Sequence, residues 1–230
     1  AALQRMDLAS FTVDWDALRA INSDVVGWIY VPGTTVNFPI VHGTDDEHYL
    51  KTDFYGQTSW VSFGSIFLSA ANAGDFSDAN NIVYGHHMND GSMFSPFADF
   101  GDADTFNGHR IVYVFTPTAN YQLTTFSIVH CAADDPLAQT AFASEQERQA
   151  YVQDKVDRSE VSVTGLPSAA DMKHTFAFST CDNLASNGRW VLFAYESDST
   201  AAASSVVADD SNINPEDVAA VSEAAKETAA

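Results

Sequence analysis

Basic residues are scarce in this sequence. Its 230 residues contain 10 Lys and Arg against 31 Asp and Glu, so the formal net charge is −21. A surface of this sign repels phosphate backbones and anionic lipid headgroups, which argues against a nucleic-acid partner and against docking on an acidic membrane. Long apolar runs are missing as well, since none approaches the ~20 residues that a membrane-spanning helix needs.

The sequence also lacks the motifs of metal-binding, nucleotide-binding and disulfide-rich proteins. Its two cysteines, Cys131 and Cys181, could form one disulfide but do not resemble a disulfide framework. Cys131 adjoins a histidine, yet neighbours on a strand face opposite sides, so we interpret it as core packing. There is no CxxC or HExxH spacing and no glycine-rich phosphate loop. Acidic runs at 45–47 and 134–135 have no calcium-loop pattern and are interpreted as solvated surface. We therefore expect no metal ion and no cofactor.

Most of the sequence is typical of short strands and turns. From residue 25 onward, β-branched and aromatic runs alternate with Pro-Gly, His-Gly and Asn-Asp-Gly breaks. Helical spacing and capping residues predict helices at 14–23 and at 144–158, the second one inserted between strands. The pattern predicts one β-rich domain. Beyond the first runs, strands are predicted at 61–68, 81–85, 110–116, 121–130, 174–181 and 189–195.

The two ends of the chain differ from this domain, which spans 14–196. The first residues contain neither a starting Met nor a signal-peptide pattern, so we interpret 1–13 as a lead-in after a removed anchor. After residue 196 the composition shifts to Ala, Ser, Asp and Thr. We predict that 197–230 is a disordered acidic tail with one short helix that begins near Asn214.

Two stretches carry residues suited to catalysis. In "VYGHHM", a short apolar run ends in a glycine and two adjacent histidines, His86 and His87. Further along, a strand that ends at Cys181 is followed by an Asn-Gly turn and by Arg189, which opens another apolar strand. If these two strands form a hairpin, Cys181 and Arg189 lie opposite each other with Cα atoms ~5 Å apart. A thiolate, a histidine that moves its proton and a guanidinium that stabilises an oxyanion together suit nucleophilic attack on a carbonyl.

These stretches resemble the class B sortases, cysteine transpeptidases of Gram-positive cell surfaces. The resemblance rests on "YGHHMNDGSMFSPFADF" together with "STCDN" and "NGRW", and the text from "INSDVVGWIY" to "GSIFL" is similar too. It covers about residues 14–196. It implies a mainly β fold, a closed eight-stranded β-barrel with N-terminal helices and one inserted helix before the cysteine strand, which 144–158 fits. The sequence departs from the family at "AFSTC", where "TLSTC" is usual, and this departure leaves the Thr-Cys pair intact.

The resemblance implies roles for individual residues. Cys181 is the expected nucleophile, Arg189 the expected oxyanion donor, and His86, which directly follows the glycine, the expected acid and base. His87 would then lie at the rim. The expected substrate-binding residues surround a groove and are Leu50, Tyr84, Ser179 and Asp182, with Leu137 as a wall before the inserted helix.

The family implies cleavage of a C-terminal sorting signal of an Asn-Pro-x-Thr type through a thioester, followed by transfer of the protein to an amine. A peptidoglycan cross-bridge and a pilin lysine are both open as the acceptor. We expect a monomer at the extracellular face of the cell membrane. Two alternatives stay open: a hydrolytic cysteine protease with the same nucleophile, and a non-catalytic sortase-like module that binds peptides or builds a surface structure.

Overall fold

A closed barrel of eight strands forms the body of the protein. The computed structural model describes residues 7–58, 63–135, 139–181, 188–201 and 213–230. The order of the strands around the barrel is β1-β2-β3-β4-β7-β8-β6-β5, and β5 pairs with β1 to close it. The predicted eight-stranded barrel is therefore confirmed. The strands are β1 (Val25–Tyr30), β2 (Asn37–His42), β3 (Ile66–Leu68), β4 (Asn80–Tyr84), β5 (Ile111–Phe115), β6 (Asn120–Cys131), β7 (Thr175–Cys181) and β8 (Arg189–Ser199).

Two of the strand pairs are parallel, and they determine where the loops of the barrel meet. β2 pairs with β3 and β4 pairs with β7 in parallel, whereas β7–β8, β8–β6, β6–β5, β5–β1, β1–β2 and β3–β4 are antiparallel. A parallel pair needs a long crossover connection. The connection from β2 to β3, residues 43–65, is one such crossover, and it carries Leu50.

Side chains alternate between the barrel interior and an outer layer, as the period of a strand requires. In the interior, Phe178 and Leu192 are fully buried members of the main apolar cluster. On the outside, Ala177 and Phe193 belong to a second cluster that is covered by helix α3 (Glu145–Asp157). Residues 175–180 of β7 and 191–194 of β8 are therefore buried on both faces of the sheet.

Both helices predicted from capping and spacing are present. Helix α1 (Trp15–Ile21) is capped by Asp14, whose carboxylate accepts from the Ala17 N–H at 3.0 Å. Helix α3 follows Ser144, whose hydroxyl oxygen accepts from the Glu147 N–H at 3.1 Å. Their caps satisfy N–H groups that have no partner within the helix.

The sequence did not predict the helical structure between β4 and β5. A 3₁₀ turn at Ser95–Gly101 leads into helix α2 (Ala103–Gly108), and Asp102 caps that helix by accepting from the Thr105 N–H at 2.9 Å. The strand predicted at 61–68 is shorter, because in the described part it begins at Ile66. Residues 59–62 lie outside the described residues.

Beyond residue 196 the chain continues as strand, past the predicted domain boundary, and the short helix predicted near Asn214 is present, whereas residues 202–212 of the predicted disordered tail lie outside the described residues. β8 continues to Ser199, and helix α4 (Pro215–Thr228) packs on the outside of the barrel. Its Val221 and Ala225 are buried in an apolar cluster with β1 and β2 residues. Asp217 accepts from the Tyr30 hydroxyl at 2.6 Å. A helix with few apolar residues is thus stabilised by tertiary contacts.

The lead-in predicted at 1–13 also packs on the barrel from residue 7 onward. Leu8 and Phe11 are buried in the same cluster as α4. Among the described residues, no helix is both long enough and apolar enough to cross a membrane.

Candidate active site

Two strand registers bring the three candidate catalytic residues to one end of the barrel. In the parallel pair β4–β7, Tyr84 lies beside Ser179, and the Gly85 N–H donates to the Ser179 carbonyl at 3.1 Å. His86 and Cys181 each follow two residues later: Cys181 is the last residue of β7, and His86 lies just beyond the end of β4, at the same end of the barrel. In the hairpin β7–β8, Cys181 lies opposite Arg189, which confirms the register predicted from the sequence.

A cleft of about 230 Å³ opens at this end of the barrel. It contains five of the predicted site residues, Leu50, Tyr84, His86, Ser179 and Arg189. The other lining residues are Asp46, Phe67, Gly85, Ala133 and Thr180. Leu137 and Asp182 lie outside the described residues, and for Cys181 the structure describes the backbone alone.

A second cavity of about 120 Å³ continues from the cleft along the outer face of β4, β7 and β8. It shares Tyr84, Ala133, Ser179 and Arg189 with the cleft. It adds the acidic Asp135 and four apolar residues, Ile82, Ala132, Ala177 and Val191. Because they share lining residues, the two cavities form one continuous groove.

The imidazole of His86 is oriented by a backbone carbonyl. Its Nε2 lies 2.7 Å from the carbonyl oxygen of Leu50. A carbonyl can only accept, so Nε2 carries the hydrogen and, in the neutral ring, Nδ1 is left with the lone pair. His87 instead forms an isolated bridge with Met93 beyond the end of β4.

Two glycines allow this packing around the imidazole. A Cβ at Gly85 would lie 2.5 Å from Ile66 Cδ1 and 2.6 Å from Phe94 Cδ2, so the residue before His86 has no room for a side chain. Gly64 has a positive φ of 59°, and a Cβ there would lie 2.9 Å from the Leu50 carbonyl oxygen and 3.0 Å from His86 Cδ2. The glycine of the "YGHH" pattern thus reflects close packing.

Arg189 lies between the two cysteine positions of the chain. On the β6 side it pairs with Cys131, and on the β7 side with Cys181. Its Nη1 donates to the Gly188 carbonyl at 2.9 Å, and its side chain is half-buried in the cleft. The pKa of Cys131 is raised to about 11, mainly because burial disfavours the thiolate and then because Asp135 is near.

Asp46 and Thr180 are cleft residues that the sequence analysis missed. Asp46 was interpreted as solvated surface, yet its carboxylate accepts from the Ser69 hydroxyl at 2.9 Å and from the Ala70 N–H at 2.6 Å. Burial and then the Asp46 charge raise the pKa of Tyr84. Thr180 is 2% exposed, and its hydroxyl has no hydrogen-bond partner among the described residues. No pattern in the sequence distinguishes Asp46 from its exposed neighbours.

The sequence and the structure were compared with those of known proteins. No protein-family profile matches the sequence. The sortase B of Staphylococcus aureus is 32% identical over 154 residues, which cover 65% of this chain and 62% of that protein. A solved structure from Bacillus anthracis, described as similar to sortase B, is 30% identical with a TM-score of 0.71 and covers 83% of this chain and 87% of that one. The chain belongs to the class B sortase family.

Other relatives agree with this assignment. A solved complex of Staphylococcus aureus sortase B with a substrate has a TM-score of 0.72 at 28% identity, over 79% of this class B sortase and 83% of that chain. The chain spans less than two thirds of the length of the curated relatives that it matches, 62% for Staphylococcus aureus and 65% for Listeria monocytogenes. In the part of this sortase that the structure describes, no group of three His, Cys, Asp or Glu residues could hold a metal ion.

Gly64→Ala should destabilise this sortase more than Gly56→Ala. Both glycines have positive φ, so an alanine at either position costs about 1–2 kcal/mol of backbone strain. At Gly64 the new Cβ would also lie 2.6 Å from the Tyr49 carbonyl oxygen, whereas at Gly56 nothing lies within 4 Å. Overpacking should add about 1–3 kcal/mol at Gly64 alone. Urea denaturation of both variants measures the difference, and equal losses would contradict the close packing described for this corner.

Proposed function

We propose that this sortase is a cysteine transpeptidase. It cleaves a C-terminal sorting signal through a thioester on Cys181 and transfers the new carboxyl end to an amine. The observation that supports this proposal is the pair of registers at one end of the barrel: β7 ends at Cys181 opposite Arg189, beside the end of β4 that leads into His86, and both His86 and Arg189 line the cleft. A nucleophile, a proton carrier and a cationic donor are the three groups that acyl transfer requires.

In the first half of the reaction, Cys181 Sγ attacks a peptide carbonyl carbon and expels an amine. The thiol proton passes to His86 Nδ1, the ring nitrogen that the Leu50 carbonyl leaves without a hydrogen, and then to the leaving amine. In the second half, an incoming amine attacks the thioester, its proton passes to His86, and the thiol of Cys181 is restored. The net result is exchange of one amine for another, without oxidation or reduction.

A thiolate–imidazolium ion pair between Cys181 and His86 is not the favoured state in water. Reference pKa values of about 8.5 for cysteine and about 6.5 for histidine favour the neutral pair in water by roughly 2.7 kcal/mol. The reaction therefore proceeds through a minor thiolate population unless the site recovers this energy. The guanidinium of Arg189, directly across the hairpin, supplies part of it.

Arg189 has a second role in this mechanism. When the carbonyl becomes tetrahedral, negative charge develops on its oxygen, and a preorganised cationic donor stabilises that charge more than it stabilises the ground state. The half-buried position of Arg189 in the cleft limits screening by water.

The substrate is proposed to lie along the groove. Leu50, Tyr84 and Ser179 line its described part, and we assign Asp182 and Leu137 to it from the family pattern. The sorting signal is expected to be of an Asn-Pro-x-Thr type, and the acceptor amine to belong to a peptidoglycan cross-bridge or to a pilin lysine. These partners place the proposed reaction at the outer face of the cell membrane, with the enzyme acting as a monomer.

The Cys181→Ala variant should lose turnover, and Cys131→Ala should retain it. The experiment incubates each enzyme with a sorting peptide and a panel of amines, including triglycine and a peptide with a free lysine. Mass spectrometry then identifies the cleaved bond and the acceptor. If Cys181→Ala cleaves the peptide at more than a few per cent of the wild-type rate, Cys181 is not the nucleophile. If the only products are those of hydrolysis, the protein is a protease. If the peptide binds but no product forms, the protein is a peptide-binding module.

Replacing His86 by Gln should cost far more activity than replacing His87 by Gln. Removing a general acid and base typically costs about 10²- to 10⁴-fold in rate. His87 lies in the isolated bridge with Met93, and its replacement should stay within about tenfold of wild type. Single-turnover rates and unfolding temperatures are compared for the two variants. If both variants are well folded and lose similar activity, the assignment of proton transfer to His86 is wrong.

Arg189→Ala should lower kcat by about 100- to 1000-fold, the typical cost of losing one oxyanion donor, and should change KM much less. Arg189→Lys keeps the charge but loses the planar fork of donors, so it should recover part of the rate. Arg19→Ala, at an exposed arginine of α1, is the control for loss of one positive charge. An Arg189→Ala enzyme within about fivefold of wild type would mean that the arginine contributes ~1 kcal/mol or less, as a surface ion pair does.

A further inference from the structure

The loop between β2 and β3 carries the carbonyl that orients His86, and this loop has no strand partner of its own at that point. We define the wall loop as residues 45–58. The Leu50 side chain is 39% exposed, so its own packing does not anchor the carbonyl. The direction of a backbone carbonyl depends on the backbone around it, and the residues that hold the wall loop therefore also hold the imidazole.

Tyr49 anchors this loop next to Leu50. It directly precedes Leu50 and is 3% exposed. Its hydroxyl donates to Asp24 Oδ2 at 2.8 Å and lies 3.3 Å from Asn22 Oδ1, in the connection between α1 and β1. The Ser65 N–H in turn donates to the Tyr49 carbonyl at 2.9 Å, just before β3. Tyr49 therefore links the wall loop to two regular elements of the barrel.

A second contact supports the far side of the same loop. The Asn22 side-chain amide donates to the Phe54 carbonyl at 3.1 Å. Asn22 itself is fixed by the end of α1, since its N–H donates to the Leu18 carbonyl. The α1–β1 connection thus holds the wall loop on both sides of Leu50.

We propose that Tyr49 is a positioning residue for the reaction: through its hydrogen bond to Asp24 it holds the Leu50 carbonyl that orients the His86 imidazole. This inference rests on the proposed role of His86. Burial, followed by the hydrogen bond to Asp24, raises the pKa of Tyr49 to about 12, so the hydroxyl remains a donor throughout the working pH range. When this anchor is lost, the Leu50 carbonyl moves more freely, and the imidazole samples the tautomer with the hydrogen on Nδ1. That tautomer cannot accept a proton at Nδ1.

The test compares Tyr49→Phe with Tyr30→Phe. Both tyrosines are buried in the same apolar cluster, and each donates a hydrogen bond to one aspartate, Asp24 or Asp217. Both variants keep the ring and lose one such bond, so their losses of stability should be similar. Tyr30 bonds to Asp217 in the first turn of α4, and of the two tyrosines only Tyr49 adjoins the residue that contacts His86.

The first readout is the tautomer of His86 from the ¹⁵N spectrum of its ring, with the signals assigned by their absence in His86→Gln. The wild type and Tyr30→Phe should show the form with the hydrogen on Nε2, and Tyr49→Phe should show a mixture. The second readout is steady-state kinetics. Tyr49→Phe should lower kcat by about tenfold, less than the roughly 100-fold that a 1 Å misplacement can cost, with KM changed by no more than about twofold. Tyr30→Phe should stay within about twofold of wild type in both constants.

A wild-type tautomer in Tyr49→Phe, or an equal change in Tyr30→Phe, would overturn the proposal. If Tyr49→Phe does not fold, Asp24→Ala removes the acceptor at an exposed position, and the same outcomes apply to it. The tautomer is read without turnover. The two proposals can therefore fail separately. If Tyr49→Phe changes the tautomer but Cys181→Ala retains activity, the positioning role is supported and the proposed chemistry is refuted.

Discussion

The parallel pairing of β4 with β7 is the constraint on which the site depends. It places Tyr84 beside Ser179, and thereby brings the segment that carries His86 to the end of β7 where Cys181 lies. A slip of one residue would shift this segment relative to Cys181, and would also turn the interior side chains of the strand outward. Val83 and Phe178 are fully buried in the barrel core, so the cost of that slip is the loss of the core itself. The packing of the barrel therefore fixes the register that brings these two strand ends together.

The second requirement of the site is met by loops that are attached to this rigid frame. The imidazole is held by a carbonyl from the β2–β3 connection, and the close approach of that connection depends on Gly64. Functional groups commonly lie on loops that a scaffold positions, because a loop can present backbone atoms that a strand uses in its own ladder. Here the scaffold also limits the loop, since the short connection between α1 and β1 supplies the polar groups that bind Tyr49.

Local patterns in the sequence predicted the capped helices, the Cys181–Arg189 hairpin and the barrel, because each depends on residues close together in the chain or on a family-like motif. Contacts between distant residues were not predictable. The end of β8 was not predicted, because a charged residue such as Glu196 is not typical of a strand. Its carboxylate Oε2 lies 2.6 Å from Nδ1 of His174, a contact that the sequence does not show. The docking of α4 depends on Tyr30, 187 residues from Asp217. The contact of His86 involves a backbone oxygen, which every residue has, so no letter of the sequence marks Leu50 as its partner.

The two cysteines show why proximity to Arg189 is not sufficient for a nucleophile. Both lie directly opposite this arginine, Cys181 on β7 and Cys131 on β6. At Cys131, burial and the Asp135 charge outweigh the guanidinium and raise the thiol pKa to about 11, so only about one molecule in ten thousand is a thiolate at pH 7. What differs at Cys181 is the neighbour on its other side, because β7 pairs with the strand that leads to His86, whereas β6 pairs with β5. A proton acceptor on the adjacent strand, rather than the positive charge that both positions share, therefore distinguishes the candidate nucleophile from the packing residue.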